Sequence, residues 1–162
     1  MDEIANPLPW EKTVTYLGVV LDGRLTWAPH IQEMLSRVRA RKIPLSPLIA
    51  RHSHLSRENK LLIYKTMLRT VFTSACPVWC SVADSVLQAL EKFNNTTILT
   101  ICKAYRFMTY KRVRLEAGIE SVREFVNKEV NKYFNSIRQK SNPLMRNVNL
   151  DALKKHYLVN NT

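Results

Sequence analysis

The sequence predicts a mainly α protein, a bundle of about five helices that carries a short β-hairpin near its N-terminus. Three observations point there. Apolar residues recur at three- and four-residue spacing through most of the chain. One stretch alone, Thr13 to Trp27, reads as β. A 46% hydrophobic fraction, with three glycines and seven prolines in 162 residues, suits one domain with a real core and excludes a low-complexity chain.

Residues 1–12 read as an extended lead, held open by Pro7 and Pro9, with Trp10 ready to pack. Residues 13–27 form the predicted hairpin. Val14, Tyr16, Val19, Val20 and Leu21 build its first strand, Asp22-Gly23 its turn, and Leu25, Thr26 and Trp27 its return. Gly18 falls inside that first strand, where glycine marks a bulge or a close backbone approach. Two strands alone are marginal in water, so the hairpin must lean on the helices, on a sheet from another polypeptide, or on a ligand.

A helical region is expected over 28–143. Pro29 suits a first turn, and Ile31, Met34, Leu35 and Val38 give the first helix its apolar face. Pro44 and Pro47 should end or kink it. No acid stands between Glu33 and Glu58, whereas six basic residues do, so the exposed face is either merely solvated or reserved for something negative. Ser56 caps a second helix with the stripe Leu61, Tyr64, Leu68, Val71 and Ala75, which Pro77 closes. Lys65 and Arg69 stand one turn apart off that stripe. A third helix begins near Asp84, with Val86, Leu90, Phe93 and Ile101 inward and threonines weakening its second half.

From Lys103 to Arg114, five basic residues and three aromatics occupy twelve positions without an acid. Tyr105, Phe107 and Tyr110 could either fill a core or stack on bases while Lys103, Arg106, Lys111, Arg112 and Arg114 neutralise phosphates. Ser121 and Glu124 have capping-box spacing. They open a helix whose stripe runs Val122, Phe125, Val126, Val130, Tyr133, Phe134 and Ile137 until Asn142-Pro143. Residues 144–162 are expected to hold one short helix, capped by Asn149, and a frayed tail.

Charge narrows the partners. Twenty-five Lys and Arg against thirteen Asp and Glu leave a net +12, which favours a polyanion. No run of apolar residues is long enough to cross a membrane. The N-terminus lacks the pattern of a signal peptide, so an intracellular protein without a membrane partner is expected. Cys76 and Cys80 have Cys-x3-Cys spacing, but a closed zinc site needs four ligands; buried thiols are the simpler reading, and no metal ligand is assigned.

Several of these stretches resemble a known family. Pro9-Trp10, Tyr16-Leu17-Gly18-Val19-Val20-Leu21-Asp22, Arg24-Leu25-Thr26-Trp27 and His30-Ile31 are similar to the end of a jockey-like non-LTR retrotransposon reverse transcriptase. The similarity continues through Asn59-Lys60-Leu61-Leu62, Tyr64-Lys65, Cys76-Pro77-Val78-Trp79, Leu90 to Asn95 and Gly118 to Val122, in the same order. The resemblance implies a thumb-like helical domain preceded by a primer grip at Tyr16, Leu17 and Gly18. It implies a parent RNA-directed DNA polymerase whose Mg2+ and catalytic aspartates lie in a palm domain N-terminal to this stretch. For that reason this chain alone is expected to have no catalytic residue and no cofactor.

The expected function is to help hold template–primer nucleic acid, an RNA–DNA hybrid or duplex, on a basic helical surface. Charge, rather than the resemblance, nominates Arg37, Arg41, Lys65, Arg69, Lys103, Arg106, Lys111, Arg112 and Arg114 as its contacts. Nuclear access would suit such a protein. A second expectation is a domesticated or truncated element remnant acting as a protein-interaction module. Its hairpin edge would then pair with a palm domain in trans or with another protein.

Overall fold

The computed structural model describes residues 11–104 and 107–139. The lead with Trp10, residues Tyr105 and Arg106, the Asn142-Pro143 stop and the short C-terminal helix lie outside the described residues. Within them the predicted class holds: a two-stranded hairpin precedes a helical bundle, and five helices have seven or more residues.

Strands β1 (Thr13–Tyr16) and β2 (Val19–Asp22) pair antiparallel, with Thr13 opposite Asp22 and Tyr16 opposite Val19. The hairpin turn is therefore Leu17-Gly18, not Asp22-Gly23, and the return strand is Val19–Asp22 rather than Leu25–Trp27. Positive φ at both turn residues, 48° and 80°, matches the right-handed twist of the flanking strands. Gly18 takes its angle without strain, whereas Leu17 bears it with a side chain. Asp22-Gly23 does turn the chain, since Leu25 N–H donates to Asp22 O at 2.9 Å, but it leads into a helix. The Asp22 carboxylate accepts from Thr26 N–H, Thr26 Oγ1 and Trp27 N–H at 3.0–3.1 Å. The Thr26 amide foremost holds its pKa below the ordinary carboxylate value.

Helix α1 (Ala28–Ile49) starts with Pro29 in its first turn and buries His30, Ile31, Met34, Leu35, Val38 and Ile49. It runs on through Pro44 and Pro47, so neither of them ends it. Each lacks the N–H that would meet the carbonyl four residues back, Ala40 O and Ile43 O respectively. Just past its end, the Ala50 and Ser53 carbonyls are met by Lys60, which is 1% exposed and donates from Nζ to Ala50 O (2.8 Å) and Ser53 O (3.1 Å).

Ser56 caps α2 (Arg57–Ile63) through Asn59 N–H as predicted. A π-helical turn (Tyr64–Leu68) then joins it to α3 (Arg69–Thr73). The extra residue rotates the buried face, so Phe72 and Arg69 point inward while Ala75 is exposed. The helix stops at Thr73, before Pro77. Ala75 is left-handed (φ 53°), and Pro77 sits in the first turn of α4 (Cys76–Trp79).

Helix α5 (Asp84–Ile101) is the central element, in contact with α1, α2, α6 and α7. It buries Leu87, Leu90, Phe93, Ile98 and Ile101, and also Asn94, Asn95 and Thr97. The buried amide of Asn94 accepts from the Tyr64 hydroxyl, and Thr97 donates to Phe93 O at 2.8 Å. Helices α6 (Tyr110–Ala117) and α7 (Val122–Gln139) complete the bundle. The capping box at α7 forms both ways, Ser121 N–H to Glu124 (2.8 Å) and Glu124 N–H to Ser121 Oγ (3.2 Å). Val122, Val126, Val130 and Phe134 face inward, and each such side chain contributes about 1.5–3 kcal/mol. Tyr133, predicted inward, is 48% exposed.

Candidate nucleic-acid interface

Basic residues in this chain do two different jobs. Some close the carbonyl ends of helices, which otherwise leave orphan acceptors and partial negative charge. Lys60 does so for α1. Arg51 donates to Ala104 O just past α5 (2.7 Å), and Arg57 to Glu116 O near the end of α6 (2.7 Å). Arg123 reaches Cys80 O (3.1 Å) and Val82 O (2.9 Å), and its Nε meets Asp84 at 2.9 Å. Lys42 spans to Thr97 Oγ1 (3.0 Å) and lies over the Phe93 ring; burial lowers its pKa. Three of the six basic residues in the acid-free stretch after Glu33, Lys42, Arg51 and Arg57, are thus engaged by the fold's own acceptors.

Two nominated residues join that internal group. Arg69 is 8% exposed, stacked on the Phe125 ring at 3.6 Å and beside Glu120 at 3.6 Å. Arg114 bonds Glu91 at 2.6 Å and Asn95 Oδ1 at 2.9 Å, and the same Glu91 accepts Val122 N–H at 2.7 Å. One arginine therefore ties α5, α6 and the start of α7 together. Both residues carry packing and leave little cation for an outside phosphate.

The other nominated residues among those described lie at the surface, most of them in two groups. The first surrounds the hairpin tip. Tyr16 and Leu17 are 65% and 86% exposed, and Arg37 donates to Gly18 O (3.4 Å) while pairing with Glu33 one turn back (2.9 Å). Arg41 follows on the same side of α1. A groove of about 660 Å³ opens between α1 and α3, lined by His30, Met34, Arg37, Arg41, Thr70 and Ser74. His30 joins hairpin to helix: its Nδ1 accepts Val20 N–H at 3.3 Å, which leaves the ring proton on Nε2, a buried atom without a partner among the described residues. Burial, and then the charge of Arg37, lowers its pKa and keeps the ring neutral. Of the three supports considered for the hairpin, α1 is the one present, through this bond and through buried Val19.

The second group lies where α5 passes into α6. Lys103 ends α5 in a left-handed conformation (φ 51°), with Lys103 N–H to Thr100 O and Ala104 N–H to Leu99 O, a Schellman closure. Lys103, Lys111 and Arg112 are exposed, and Arg112 pairs with Glu116 at 3.1 Å. Of the three aromatics, Phe107 is 97% exposed and Tyr110 is 47% exposed, so neither fills the core. Lys65, on the π-helical turn, is exposed too. Among the described residues, Arg41, Lys65, Lys103 and Lys111 form no ion pair. The segment of α1 from Arg37 to Ile49, which separates the two groups, rises about 18 Å.

Charge counting found the free cations but could not tell them from the caps, because only tertiary contacts distinguish Lys111 from Arg114. His30 stood in the sequence only as part of a resemblance. Cys76 and Cys80 are buried, and burial pushes Cys76 up to about 11. No group of three or more His, Cys, Asp or Glu side chains among the described residues could hold a metal ion. No helix among them is long and apolar enough to cross a membrane.

Fold and surface thus define a mainly helical basic module with an N-terminal hairpin. Its homologues are jockey-like and X-element non-LTR retrotransposon RNA-directed DNA polymerases, at low identity over most of the chain. The chain is 28% identical over 143 residues to a probable RNA-directed DNA polymerase from transposon X-element of Drosophila melanogaster, covering 88% of this chain and 16% of that protein. To the RNA-directed DNA polymerase from mobile element jockey of Drosophila funebris it is 25% identical, covering 85% and 15%. To the probable polymerase from transposon BS of Drosophila melanogaster it is 22% identical, covering 81% and 14%. The chain therefore spans about a sixth of the length of these relatives. No family model and no solved structure matches it.

Proposed function

We propose that this chain is the primer-grip and thumb portion of a retrotransposon reverse transcriptase, a noncatalytic piece that helps hold template–primer nucleic acid. The observation that carries the reading is the division of its cations. While Lys60, Arg69, Arg114 and Arg123 are held by internal partners, and the exposed Arg51 and Arg57 by backbone carbonyls, Arg41, Lys65, Lys103 and Lys111 stay exposed without acidic partners among the described residues. Homology to RNA-directed DNA polymerases gives that surface its expected ligand, an RNA–DNA hybrid or duplex. The exposed hairpin tip, Tyr16, Leu17 and Gly18, stands beside Arg37 and the α1–α3 groove, where one strand of the duplex would run.

In this reading the two-metal chemistry, with its Mg2+, belongs to a palm domain, and this chain supplies position alone. Contacts to phosphate fix register without reading sequence, so selectivity is for helix shape. The test is equilibrium binding of the purified chain to matched RNA–DNA hybrid, duplex DNA and single strands at several salt concentrations. A steep salt dependence with preference for the hybrid supports the role. Absence of binding near physiological salt overturns it.

A further inference from the structure

We propose that Phe107 is a base-stacking finger, which lays its ring on an unpaired nucleobase while Lys103 and Lys111 neutralise the flanking phosphates. The inference rests on the nucleic-acid reading above and gives it a second, non-electrostatic contact with its own preference: nucleic acid with an exposed base face.

Phenylalanine is among the side chains most often buried, yet Phe107 keeps 97% of its surface in water. Next to it, Met108 is half-buried against the core, Thr109 is exposed, and the exposed side chains of Lys103, Lys111 and Arg112 are cationic. Among the described residues the exposed apolar side chains next along the chain, Tyr110 and Leu115, are interleaved with Lys111 and Arg112, whereas a protein-docking surface would be a contiguous apolar area. A ring with positive neighbours instead matches how single strands are held, with the ring against a base and the cations along the backbone.

The mounting supports this use. On one side the chain is fixed by the Schellman closure at Lys103 and by Arg51 donating to Ala104 O at 2.7 Å. On the other, α6 begins at Tyr110 and is anchored through buried Val113. The surrounding field stays positive as well. No acid occurs from Lys92 through Leu115, and the acids on either side, Glu91 and Glu116, are engaged by Arg114 and Arg112. Intact duplex hides its base faces except at the ends, so the ring should discriminate in favour of a single-stranded extension.

The experiment compares the full chain with Phe107→Ala, Phe107→Trp and Lys111→Ala. The probes are a blunt RNA–DNA hybrid, the same hybrid with a short single-stranded extension, and vesicles of phosphatidylcholine with phosphatidylserine. Phe107→Ala should lose at least roughly fivefold in affinity for the extended probe, the low end of one stacked base. Its affinity for the blunt hybrid, its salt slope and its melting temperature should not change. Phe107→Trp should restore binding, with indole fluorescence quenched on the extended probe when read as the difference from wild type. Lys111→Ala should weaken both probes and lower the slope.

An extended-probe affinity that survives Phe107→Ala overturns the inference and leaves the holding role intact. Equal losses on both probes overturn it as well. Vesicle binding that needs Phe107, with nucleic-acid binding that does not, would make the ring a membrane contact and refute stacking. A wild-type chain that binds neither nucleic-acid probe refutes the holding role and, with it, this inference.

Discussion

Replacing Arg41, Lys65, Lys103 and Lys111 together by alanine should flatten the salt dependence of binding without unfolding the protein. Each phosphate neutralised by a cation contributes about 0.9 to the slope of log K against log salt on a duplex, so losing four contacts lowers it by about 3.6. Between about 50 and about 200 mM salt, one such contact is worth about 3.5-fold in affinity, and four are worth about 150-fold. The four residues make no ion pair among the described residues, so their removal breaks no internal contact of that kind. Fluorescence anisotropy with a labelled RNA–DNA hybrid across that salt range gives the slope, and urea melts give the stability. Arg57→Ala is the matched control. It removes one charge, but a charge that closes α6 at Glu116 O, so it should lower stability and leave the slope unchanged. A fall in slope of less than about one for the quadruple variant would refute the division of cations. An equal fall per charge for Arg57→Ala would refute it from the other side.

Other outcomes follow from the internal contacts. Arg114→Met should cost about 2 kcal/mol in urea melts, because Glu91 and Asn95 lose their shared donor in a half-buried site. Lys103→Gly should stabilise the fold by about 1 kcal/mol, since glycine accepts the left-handed angle that Lys103 bears, while removing a free cation and lowering the salt slope of hybrid binding by about 0.9. With Cys76 raised from 9.0 to about 11, its thiolate at pH 8 should be about a hundredfold scarcer than that of an ordinary thiol, so iodoacetamide should label it slowly until the chain is denatured. The same shift links to stability. Its contribution is whole below pH 9, where neither state has lost the proton, and is lost as pH rises from 9 towards about 11, where the unfolded chain ionises first.

The helices that the sequence foretold best are those whose signals are local. Ser56 and the Ser121 to Glu124 box use neighbouring backbone amides, and both form as their spacing required. Signals that failed depended on what came next in space. Asp22-Gly23 does turn the chain, but Leu17-Gly18 turns it first, and β2 must then face α1 to bury Val19. Pro77 reads equally as the end of one helix or the first turn of the next, and the left-handed Ala75 decides for the second. The π-helical turn at Tyr64–Leu68 left no periodic trace of itself. A stripe traced by constant 3.6-residue spacing therefore chose Val71 and Ala75, where the structure buries Phe72.

The candidate interface shows why charge is a poor map of function even when it is a good guide to it. A helix C-terminus and a phosphate present the same chemistry to an arginine: oxygen acceptors carrying negative charge. Arg51 and Arg57 lie in the acid-free stretch that suggested an anion-binding face, and both donate to backbone carbonyls of distant helices. Arg69 and Lys65 are one turn apart, yet the π-helical turn sends one beneath Phe125 and leaves the other in water. The net charge of +12 therefore overstates the surface available to a polyanion. What remains after the helix ends are closed is a smaller set of exposed cations, among them those at the hairpin tip, on the π-helical turn and at the α5–α6 join, and these should move with salt.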